Sequence, residues 1–332
     1  MSREIRFAVV GVGYFGALHA EKLARLPGAR LVAVVDADAG RAQTVAAKHG
    51  VEALTNARDL IGRIDAAIVA VPTKAHFDVA ELLLQNGIHV LVEKPITDDP
   101  ETARRLVDLA AARGLILQVG HLERFSAVSG AVRDKIRDPL YIESYRITSF
   151  RERGTDVSVI LDLMIHDIDL ILAFVRSPIE SIEAIGIPVL SPSEDIVNTR
   201  VRFANGCFAT MTASRVSLKA ERKMRIFQPE SYIGIDFLER TVRTARKKAT
   251  PAGGAWPEIV TETQSYEEAD ALYAEDAAFL ASVAGGTPPL VGGEDGLQAV
   301  RAASLITQSL RENLERFAKA RGLTSLPFRA AI

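Results

Sequence analysis

The chain of 332 residues contains a single cysteine, Cys207, so no intrachain disulfide can form, and this suits a reducing compartment. Its 40 basic and 42 acidic side chains give a net charge of −2, which provides no electrostatic case for binding nucleic acid. No hydrophobic run approaches the roughly 18 apolar residues of a membrane span. The N-terminal MSREIRFAVVGVG also lacks the long apolar segment and cleavage site of a signal peptide. We therefore expect a cytoplasmic protein without a nucleic-acid or membrane partner.

Neither an internal repeat nor a low-complexity tract interrupts the sequence. Hydrophobic residues make up 48% and charged residues 25% of the chain, proportions that indicate an ordinary globular protein. A length of 332 residues exceeds what one hydrophobic core usually organises, so two domains are expected. The pattern of elements changes near Gly120, which places the predicted domains at residues 1–121 and 122–332.

The first element is a predicted strand, Ile5–Val10, that ends in a glycine-rich turn with the sequence GVGYFG at 11–16. A helix from about Ala17 to Leu26 follows, and then a second strand, Leu31–Val35, which ends at Asp36. This order of strand, glycine turn, helix, strand and acid is typical of a dinucleotide-binding site.

Each glycine of this turn has a separate steric role in such a site. Gly11 allows the tight turn, Gly13 lets the backbone approach a pyrophosphate, and Gly16 allows close packing of helix on strand. The helix N-terminus offers free N–H groups to phosphate. Asp36, which lies 20 residues past Gly16, can accept hydrogen bonds from both ribose hydroxyls, and its carboxylate repels the 2′-phosphate of NADP. The predicted cofactor is therefore NAD, and the alternative is a turn that binds nothing.

Strands and helices continue to alternate up to about residue 120, which predicts a parallel Rossmann sheet with right-handed crossovers. Further strands are predicted at Ala66–Val71, Ile88–Val92 and Leu115–Val119, and Asp99 should cap a helix with Pro100 at its first position. Ligands bind beyond the carboxyl ends of such strands. Residues at or just after those ends are Gly11, Asp36, Pro72, Thr73, Glu93, Lys94 and His121.

In the second part of the chain, strand-like runs follow one another without helices between them. They predict an α/β domain with a large, mostly antiparallel open sheet, closed by helices at about Glu267–Val283 and Gly296–Ala320. Asn205-Gly206 is a strong hairpin signal. The segment Ala249–Thr261, with Trp256, is predicted to be a loop, either a lid or a surface insertion. The other predicted strands are Leu140–Phe150, Ile179–Val189, Ile196–Phe203, Cys207–Ser214, Lys223–Gln228, Tyr232–Leu238 and Thr241–Arg246.

One face of this sheet is predicted to lack a covering helix layer. On it, polar residues alternate with apolar ones, so the face is mixed rather than purely charged. An interface can be polar and still large. We therefore expect a homodimer or homotetramer that pairs through this sheet. The alternating polar residues are Arg200, Arg202, Thr210 and Thr212.

The segment VILDLMIHDIDLIL, Val159–Leu172, is predicted to be a buried helix that carries ionisable side chains. Asp162 and His166 are four residues apart and therefore share one face of an α-helix. A buried carboxylate and imidazole on one stripe are candidates for proton transfer, because burying charge is costly unless it is paired or used. The alternative is a helix packed by satisfied polar residues, a role we expect for Asp167 and Asp169.

Taken together, these motifs resemble the Gfo/Idh/MocA oxidoreductase family over nearly the whole chain. The motifs are GVGYFG at 11–16, Asp36, VPTKAH at 71–76, EKP at 93–95, and Asp162 with His166 as D-x-x-x-H. The resemblance implies NAD-dependent hydride transfer from a sugar or polyol carbon, with the substrate between the two domains. It also implies cofactor contacts from Gly11, Gly13, Tyr14, Phe15, Gly16, Asp36, Val71, Pro72, Thr73, His76, Glu93, Lys94 and His121.

The family resemblance further implies three catalytic roles. Lys94 would stabilise negative charge on the reacting oxygen, His166 would take the hydroxyl proton, and Asp162 would bind a substrate hydroxyl or orient His166. Alcohol oxidation needs such a base and no metal if a cation supports the oxyanion. No zinc-type ligand spacing is present, so no metal is predicted. On position alone, Lys94 could instead be a surface lysine over the sheet edge.

A narrower resemblance is to the subgroup that oxidises the 3-hydroxyl of UDP-N-acetylglucosamine and supplies an aminotransferase, for example in routes to amide-linked lipid A. Residues 120–132 and 154–172 carry it, although Ser126 and Ala127 replace the subgroup's usual asparagine and proline. Arginines near the predicted cleft could bind a diphosphate, or could be solvated or interfacial. They are Arg124, Arg146, Arg151 and Arg153, of which Arg124 and Arg151 are the predicted substrate ligands.

Two alternatives to this function remain. One is a dehydrogenase of inositol or a free sugar within the same family. The other, from a different class, is a nucleotide-sensing regulator with a dead active site. The joint presence of Lys94, Asp162 and His166 argues against the sensor, because a sensor does not need all three.

Overall fold

In a computed structural model of the chain, residues 4–150, 158–248 and 258–322 are described. The strands are β1 Ile5–Val10, β2 Ala29–Val35, β3 Glu52–Leu54, β4 Ala66–Val69, β5 His89–Glu93, β6 Leu117–Gly120, β7 Tyr141–Ile147, β8 Ile179–Ile187, β9 Ile196–Phe203, β10 Phe208–Ser214, β11 Glu221–Gln228, β12 Ser231–Asp236, β13 Thr241–Lys247 and β14 Ile259–Ser265. The helices are α1 Tyr14–Arg25, α2 Ala39–His49, α3 His76–Gln85, α4 Pro100–Arg113, α5 Ala127–Arg133, α6 Ile165–Val175, α7 Ala271–Gly285 and α8 Gly293–Ala320.

The chain divides into two compact units, but at different places from the single predicted boundary between residues 121 and 122. The first unit comprises Met1–Phe125 and Asp270–Arg301, and the second comprises Ser126–Ala269 and Ala302–Ile332. The chain returns to the first unit because α7 carries apolar side chains that complete its core. Phe279 of α7 is fully buried against Phe7 of β1, with ring centroids 5.9 Å apart.

The first unit contains a six-stranded parallel sheet in the order β3-β2-β1-β4-β5-β6, which confirms the predicted Rossmann fold. Its central strands are apolar and buried on both faces, as a parallel sheet covered by helices requires. The predicted cap of α4 is confirmed, since the Asp99 side chain accepts a hydrogen bond from the Thr102 N–H and Pro100 begins the helix.

The second unit contains an eight-stranded sheet in the order β14-β13-β12-β11-β7-β10-β9-β8. All neighbouring pairs are antiparallel except β7 and β10, which confirms the predicted mostly antiparallel sheet. The Asn205-Gly206 hairpin is also confirmed: Gly206 has φ 87° and joins β9 to β10. Side chains alternate between buried and more exposed along β9, and Arg200 and Arg202 lie on its exposed face.

Several predicted elements differ from those of the structure. The sequence also predicts a helix at about Phe125–Arg137, but α5 spans only Ala127–Arg133, and Ser126 caps its start by accepting a hydrogen bond from the Ser129 N–H. The predicted loop at Ala249–Thr261 lies partly outside the described residues, but strand β14 begins within it, at Ile259. In the described part of the chain, none of the helices is long and apolar enough to cross a membrane.

Candidate functional site

The glycine turn after β1 has the geometry that its sequence predicts. Gly11 has φ 85°, and a Cβ at this position would lie 2.6 Å from the backbone nitrogen of Val71. A Cβ on Gly16 would lie 1.8 Å from the carbonyl oxygen of Gly11, so helix α1 can pack this closely only with glycine there. At Gly13, by contrast, an added Cβ would meet no described atom within 4 Å, which leaves the backbone open to a ligand.

The N-terminus of α1 begins at this open position. Gly13 is its N-cap residue, and no side chain in the described part of the chain forms a capping hydrogen bond. The first N–H groups of the helix therefore remain suited to phosphate. The next two side chains, Tyr14 and Phe15, are 64% and 40% exposed and pack edge to face with centroids 5.4 Å apart. A helix N-terminus with available N–H groups, next to two exposed aromatic rings, fits the pyrophosphate of a dinucleotide.

Asp36 follows β2 and lies beside the same turn. Its carboxylate accepts hydrogen bonds from the N–H groups of Val12 and Asp38, each at 2.9 Å. Burial alone would raise the pKa of Asp36, but these two N–H groups and the guanidinium of Arg41 together lower it. The ionised carboxylate is thus fixed in place, as an acceptor for ribose hydroxyls requires.

Arg41 is a residue that sequence reasoning missed at this place. Its Nη1 lies 3.2 Å from Oδ1 of Asp36, although it is five residues further along the chain and half-exposed. The prediction considered only Ala37 and Asp38, which directly follow the acid. The first turn of α2 brings Arg41 back to Asp36, and the signal was the capping residue Asp38, which accepts a hydrogen bond from the Arg41 N–H.

The segment after β4 contains Val71, Pro72, Thr73 and His76, all predicted to contact the cofactor. The first three are partly or fully exposed, whereas His76 is buried. Its ring nitrogens lie 2.8 Å from the carbonyl oxygen of Pro95 and 2.9 Å from that of Val71. Burial lowers the pKa of His76 despite these two carbonyl oxygens. The side chain therefore joins the segments that follow β4 and β5, and its contact with a cofactor remains a prediction.

Lys94 follows Glu93 at the end of β5, as the EKP motif predicts. Oε2 of Glu93 accepts the Lys94 backbone N–H at 3.1 Å, and Oε1 lies 3.0 Å from Nε2 of His19. A Cβ on Gly120 would lie 3.1 Å from the Glu93 carboxyl group, so the glycine that ends β6 leaves room for it. Two neighbouring strand ends therefore shape the surroundings of Glu93.

His19 on α1 is fully buried and contacts two carboxylates at once. Its Nδ1 lies 2.8 Å from Oδ1 of Asp276 on α7, opposite the Glu93 contact. Burial alone would lower the pKa of His19, but Asp276 and Glu93 together hold it well above its usual value. Sequence reasoning did not select this histidine, because its partners are 74 and 257 residues away.

Glu275 is the third carboxyl group of this buried cluster. Neither of its oxygens has a hydrogen-bond partner among the described residues. Burial, followed by the nearby Glu93, raises the pKa of Glu275 well above its usual value. Ligand atoms of His19, Glu93 and Glu275 all lie within 4.8 Å of one another, a spacing that could hold a metal ion. However, both ring nitrogens of His19 already contact carboxylates, which leaves no lone pair directed at a metal.

His121 and Arg124 complete the predicted residues of the first unit. His121 is buried just after β6. Arg124 is mostly buried, and its Nη2 lies 3.5 Å from Oδ1 of Asp295, at the edge of a hydrogen bond. Both side chains are thus held within the first unit. A role for Arg124 toward a diphosphate remains a prediction.

In the second unit, the central segment begins with a π-helical turn, Ile160–Met164, and continues as α6. The prediction of one regular helix over Val159–Leu172 was therefore wrong for its first turn. Asp162 lies in the π turn and His166 in the first turn of α6, and both are half-buried. Single π turns occur frequently at functional sites.

Asp167 has the structural role that was expected of it. The Arg146 guanidinium donates to both of its carboxylate oxygens, at 3.0 and 3.1 Å, and both side chains are buried. Arg146, offered above as one possible diphosphate ligand, is therefore engaged in an ion pair with Asp167. Asp169 is also buried. Arg151 and Arg153 lie outside the described residues.

Comparison with known protein families gives two matches, one in the first part of the chain and one in the part that follows. A sequence profile described as an oxidoreductase family with an NAD-binding Rossmann fold matches residues 5–121. The profile of the GFO/IDH/MocA C-terminal domain matches residues 116–230. The chain belongs to the Gfo/Idh/MocA oxidoreductase family. The predictions of an oxidoreductase and of NAD as its cofactor are thereby confirmed.

Relatives of this family member cover almost its whole length. A UDP-N-acetylglucosamine 3-dehydrogenase of Acidithiobacillus ferrooxidans is 34% identical over 94% of this chain and 99% of its own. A solved structure of the enzyme of that name from the same organism superimposes with a TM-score of 0.87, at 33% identity, covering 93% of this chain and 98% of its own. A scyllo-inositol 2-dehydrogenase (NAD⁺) of Bacillus subtilis is 28% identical over 95% of this chain and 96% of its own.

Proposed function

We propose that this family member oxidises the 3-hydroxyl of UDP-N-acetylglucosamine with NAD, giving a 3-keto sugar nucleotide. The observation that supports this most is the similarity to a UDP-N-acetylglucosamine 3-dehydrogenase along nearly the full length of both chains. An inositol 2-dehydrogenase of Rubrobacter xylanophilus reaches 35% identity, but over only 56% of each chain. A scyllo-inositol 2-dehydrogenase of Bacillus subtilis also matches over 95% of this chain, but at 28% identity, so the higher full-length identity of 34% favours the sugar nucleotide.

The first unit fits the cofactor at three places. The N–H groups at the start of α1 would bind the pyrophosphate, the open side of Gly13 would allow its approach, and Asp36 would accept hydrogen bonds from the ribose hydroxyls. NAD supplies the hydride acceptor for the carbinol carbon of the sugar. Tyr14 and Phe15 are exposed beside this position and would cover the dinucleotide.

Side chains of this protein would remove the hydroxyl proton and stabilise the charge on the oxygen. His166 would take the hydroxyl proton as general base, and Asp162 would orient His166 or bind a neighbouring hydroxyl. Lys94 would stabilise the negative charge that develops on the oxygen as the hydride leaves. The products are a ketone, the reduced cofactor and one proton. Arg124 and Arg151 would bind the diphosphate of the substrate.

Turnover assays with purified protein test this proposal. We expect NADH formation with UDP-N-acetylglucosamine and little with myo-inositol or glucose. His166→Ala should lower kcat by about 10²–10⁴-fold and Lys94→Ala by about 10²–10³-fold, while NAD still binds. His49→Gln, a change at the end of α2, serves as the matched control and should retain full activity.

Each other outcome supports a different alternative. Turnover of free polyols alone would support an inositol or free-sugar dehydrogenase, which the inositol dehydrogenase relatives make the second candidate. NAD binding without turnover of any of these substrates would support the nucleotide-sensing regulator. If His166→Ala turns over as fast as the wild type, the proposed base is wrong.

We also propose that the exposed face of the second unit's sheet pairs with another copy of the chain. On this face, the guanidinium groups of Arg200 and Arg202 lie 4.7 and 4.8 Å from the ring centroid of Phe208. Such stacked arginines are common in interfaces that are polar yet extensive. Size-exclusion chromatography with light scattering should report a dimer or tetramer, and a monomer at micromolar concentration would refute the pairing.

A further inference from the structure

The buried cluster around His19 contains three carboxyl groups, one more than the two ring nitrogens of its imidazole can pair with. One imidazole lies among Glu93, Glu275 and Asp276, and the His19, Glu275 and Asp276 side chains are fully buried. Gln118 lies beside them, since its Nε2 donates to the backbone oxygen of Glu275 at 3.2 Å. Unpaired charge in such a place is costly, so the protonation state of each group is strongly constrained.

The geometry of His19 indicates that both of its ring nitrogens carry protons. An ionised carboxylate only accepts hydrogen bonds, and one faces each nitrogen, at 2.8 Å from Asp276 and 3.0 Å from Glu93. His19 is therefore an imidazolium held between two carboxylates. Burial raises the pKa of both Asp276 and Glu275, but Asp276 and Glu93 each face a ring nitrogen of His19, whereas neither oxygen of Glu275 has a partner among the described residues. We therefore infer that Glu275 is the carboxyl group that retains its proton.

This assignment leaves one uncompensated negative charge in the cluster. The imidazolium balances one of the two carboxylates, and Glu275 contributes no charge. Lys94 directly follows Glu93, and its charge lowers the pKa of Glu93. The excess negative charge therefore lies beside Lys94, which the proposed mechanism requires as an ammonium.

We propose that Asp276, His19 and Glu93 form a buried positioning relay that holds the Glu93 carboxylate ionised and oriented, so that Lys94 meets the substrate oxygen as an ammonium. The relay rests on the proposed function of Lys94. Asp276 fixes the imidazolium, the imidazolium fixes one oxygen of Glu93, and the other oxygen fixes the Lys94 backbone. None of the three is a catalytic residue, because each acts through Lys94.

Other charged groups also bear on this relay. Burial lowers the pKa of His76 near Glu93, although the carbonyl oxygens of Pro95 and Val71 and the charge of Glu93 act in the opposite direction. Within the first unit, the groups whose pKa values the charge of Glu93 affects are His19 on α1, His76 on α3, and Glu275 and Asp276 on α7.

The test compares Glu93→Gln and His19→Gln with wild type, and with His49→Gln as the control. Glutamine at 93 keeps the shape of the side chain but removes its charge, so the alkaline limb of kcat/KM should move to lower pH. Glutamine at 19 can donate to only one of the two carboxylates, so kcat should fall by about 10–100-fold through misplacement of Lys94. The Kd for NAD should stay within about threefold in His19→Gln, because a fully buried residue cannot touch the cofactor.

A purely structural role for His19 would instead lower stability and leave kcat per folded molecule and the alkaline limb unchanged, and that result would overturn the relay. Stoichiometric metal bound to the purified wild-type enzyme, lost together with activity on chelation, would overturn it as well. The two proposals fail separately. If Lys94→Ala abolishes turnover while His19→Gln and Glu93→Gln behave as wild type, the relay is wrong and the proposed function stands. If Lys94→Ala is fully active, the proposed function fails first.

Discussion

The two units of this protein bury charge in different ways. In the second unit, two buried arginines each form an ion pair with a buried carboxylate: Arg146 with Asp167, and Arg215 with Asp195. In the first unit, three carboxyl groups share the single imidazole of His19, and several of their oxygens have no partner among the described residues. Stabilisation of the fold is enough to account for these two ion pairs. The unbalanced cluster of the first unit lowers the stability of the fold, and it lies next to Lys94. We therefore attribute to it a functional rather than a stabilising role.

The largest expected effect on stability is at the most fully satisfied pair of the second unit. Asp195 accepts hydrogen bonds from the N–H groups of Val189, Leu190 and Ser191 and from Nε of Arg215 at 2.8 Å. Asp195→Asn removes the buried carboxylate that pairs with the buried guanidinium of Arg215, and should cost about 3–5 kcal/mol in the free energy of unfolding, measured by urea denaturation.

The pH dependence of this loss follows from the pKa of Asp195. Burial alone would raise that pKa, but Ser191, Leu190 and Arg215 lower it far below its usual value. The stabilisation is therefore present above the unfolded pKa, is lost only as pH falls through the folded one, and should be constant between about pH 5 and 8. Arg246→Ala, in an exposed pair with Glu262, is the control and should change stability by less than about 0.5 kcal/mol. A loss below about 1 kcal/mol in Asp195→Asn would show that balanced pairs are not what stabilises the second unit.

The next prediction tests whether Glu275, in the buried cluster of the first unit, carries a proton in the folded protein. Its pKa is raised in the folded protein, so its contribution to stability is fully present below the ordinary glutamate pKa and is lost as pH rises toward the raised value. Each unit of pH across that window costs up to about 1.4 kcal/mol. Glu275→Gln mimics the neutral acid and cannot ionise, so it avoids this loss of stability. Its free energy of unfolding should therefore exceed that of the wild type by about 1–3 kcal/mol between pH 6 and 8. Parallel stability curves for the two proteins over this range would mean that Glu275 is ionised in the fold.

A smaller effect concerns Asp36, a paired carboxylate within the first unit. If pairing alone indicated a structural role, Asp36→Asn would mainly lower stability. We expect instead a loss of NAD affinity of about 10–100-fold from the weakened ribose contacts, measured by fluorescence titration. The freed guanidinium of Arg41 should also improve binding of NADP, since an arginine here can pair with a 2′-phosphate. Adding Arg41→Ala should cancel that improvement. Unchanged affinity for both cofactors would contradict the assignment of Asp36.

The features that the sequence predicted are those set by neighbours along the chain. The GVGYFG turn, the Asp99 cap and the Asn205-Gly206 hairpin each depend on a few consecutive residues, and the structure has all three. The π turn at Ile160–Met164 was not predicted, because an apolar run has no local pattern that separates a π turn from an α-helix.

The relay around His19 could not be predicted, because its parts meet only when the chain folds. His19 alone resembles an ordinary core histidine on the buried face of α1. A partial signal was present in α7, where Glu275 and Asp276 interrupt the apolar run ALYAEDAAFL. Adjacent acids on a helix that otherwise packs into a core need partners, but the sequence does not say which side chains provide them.

The protonation state of Lys94 tests the central claim most directly. Two-dimensional NMR of protein with ¹⁵N-labelled lysine side chains, with the Lys94 signal assigned from its loss in Lys94→Arg, can follow its titration. We predict that wild-type Lys94 remains an ammonium at least up to its ordinary pKa of about 10.4, and that in Glu93→Gln it loses its proton at distinctly lower pH. Identical titration curves in the two proteins would contradict the claim that the buried cluster keeps Lys94 charged.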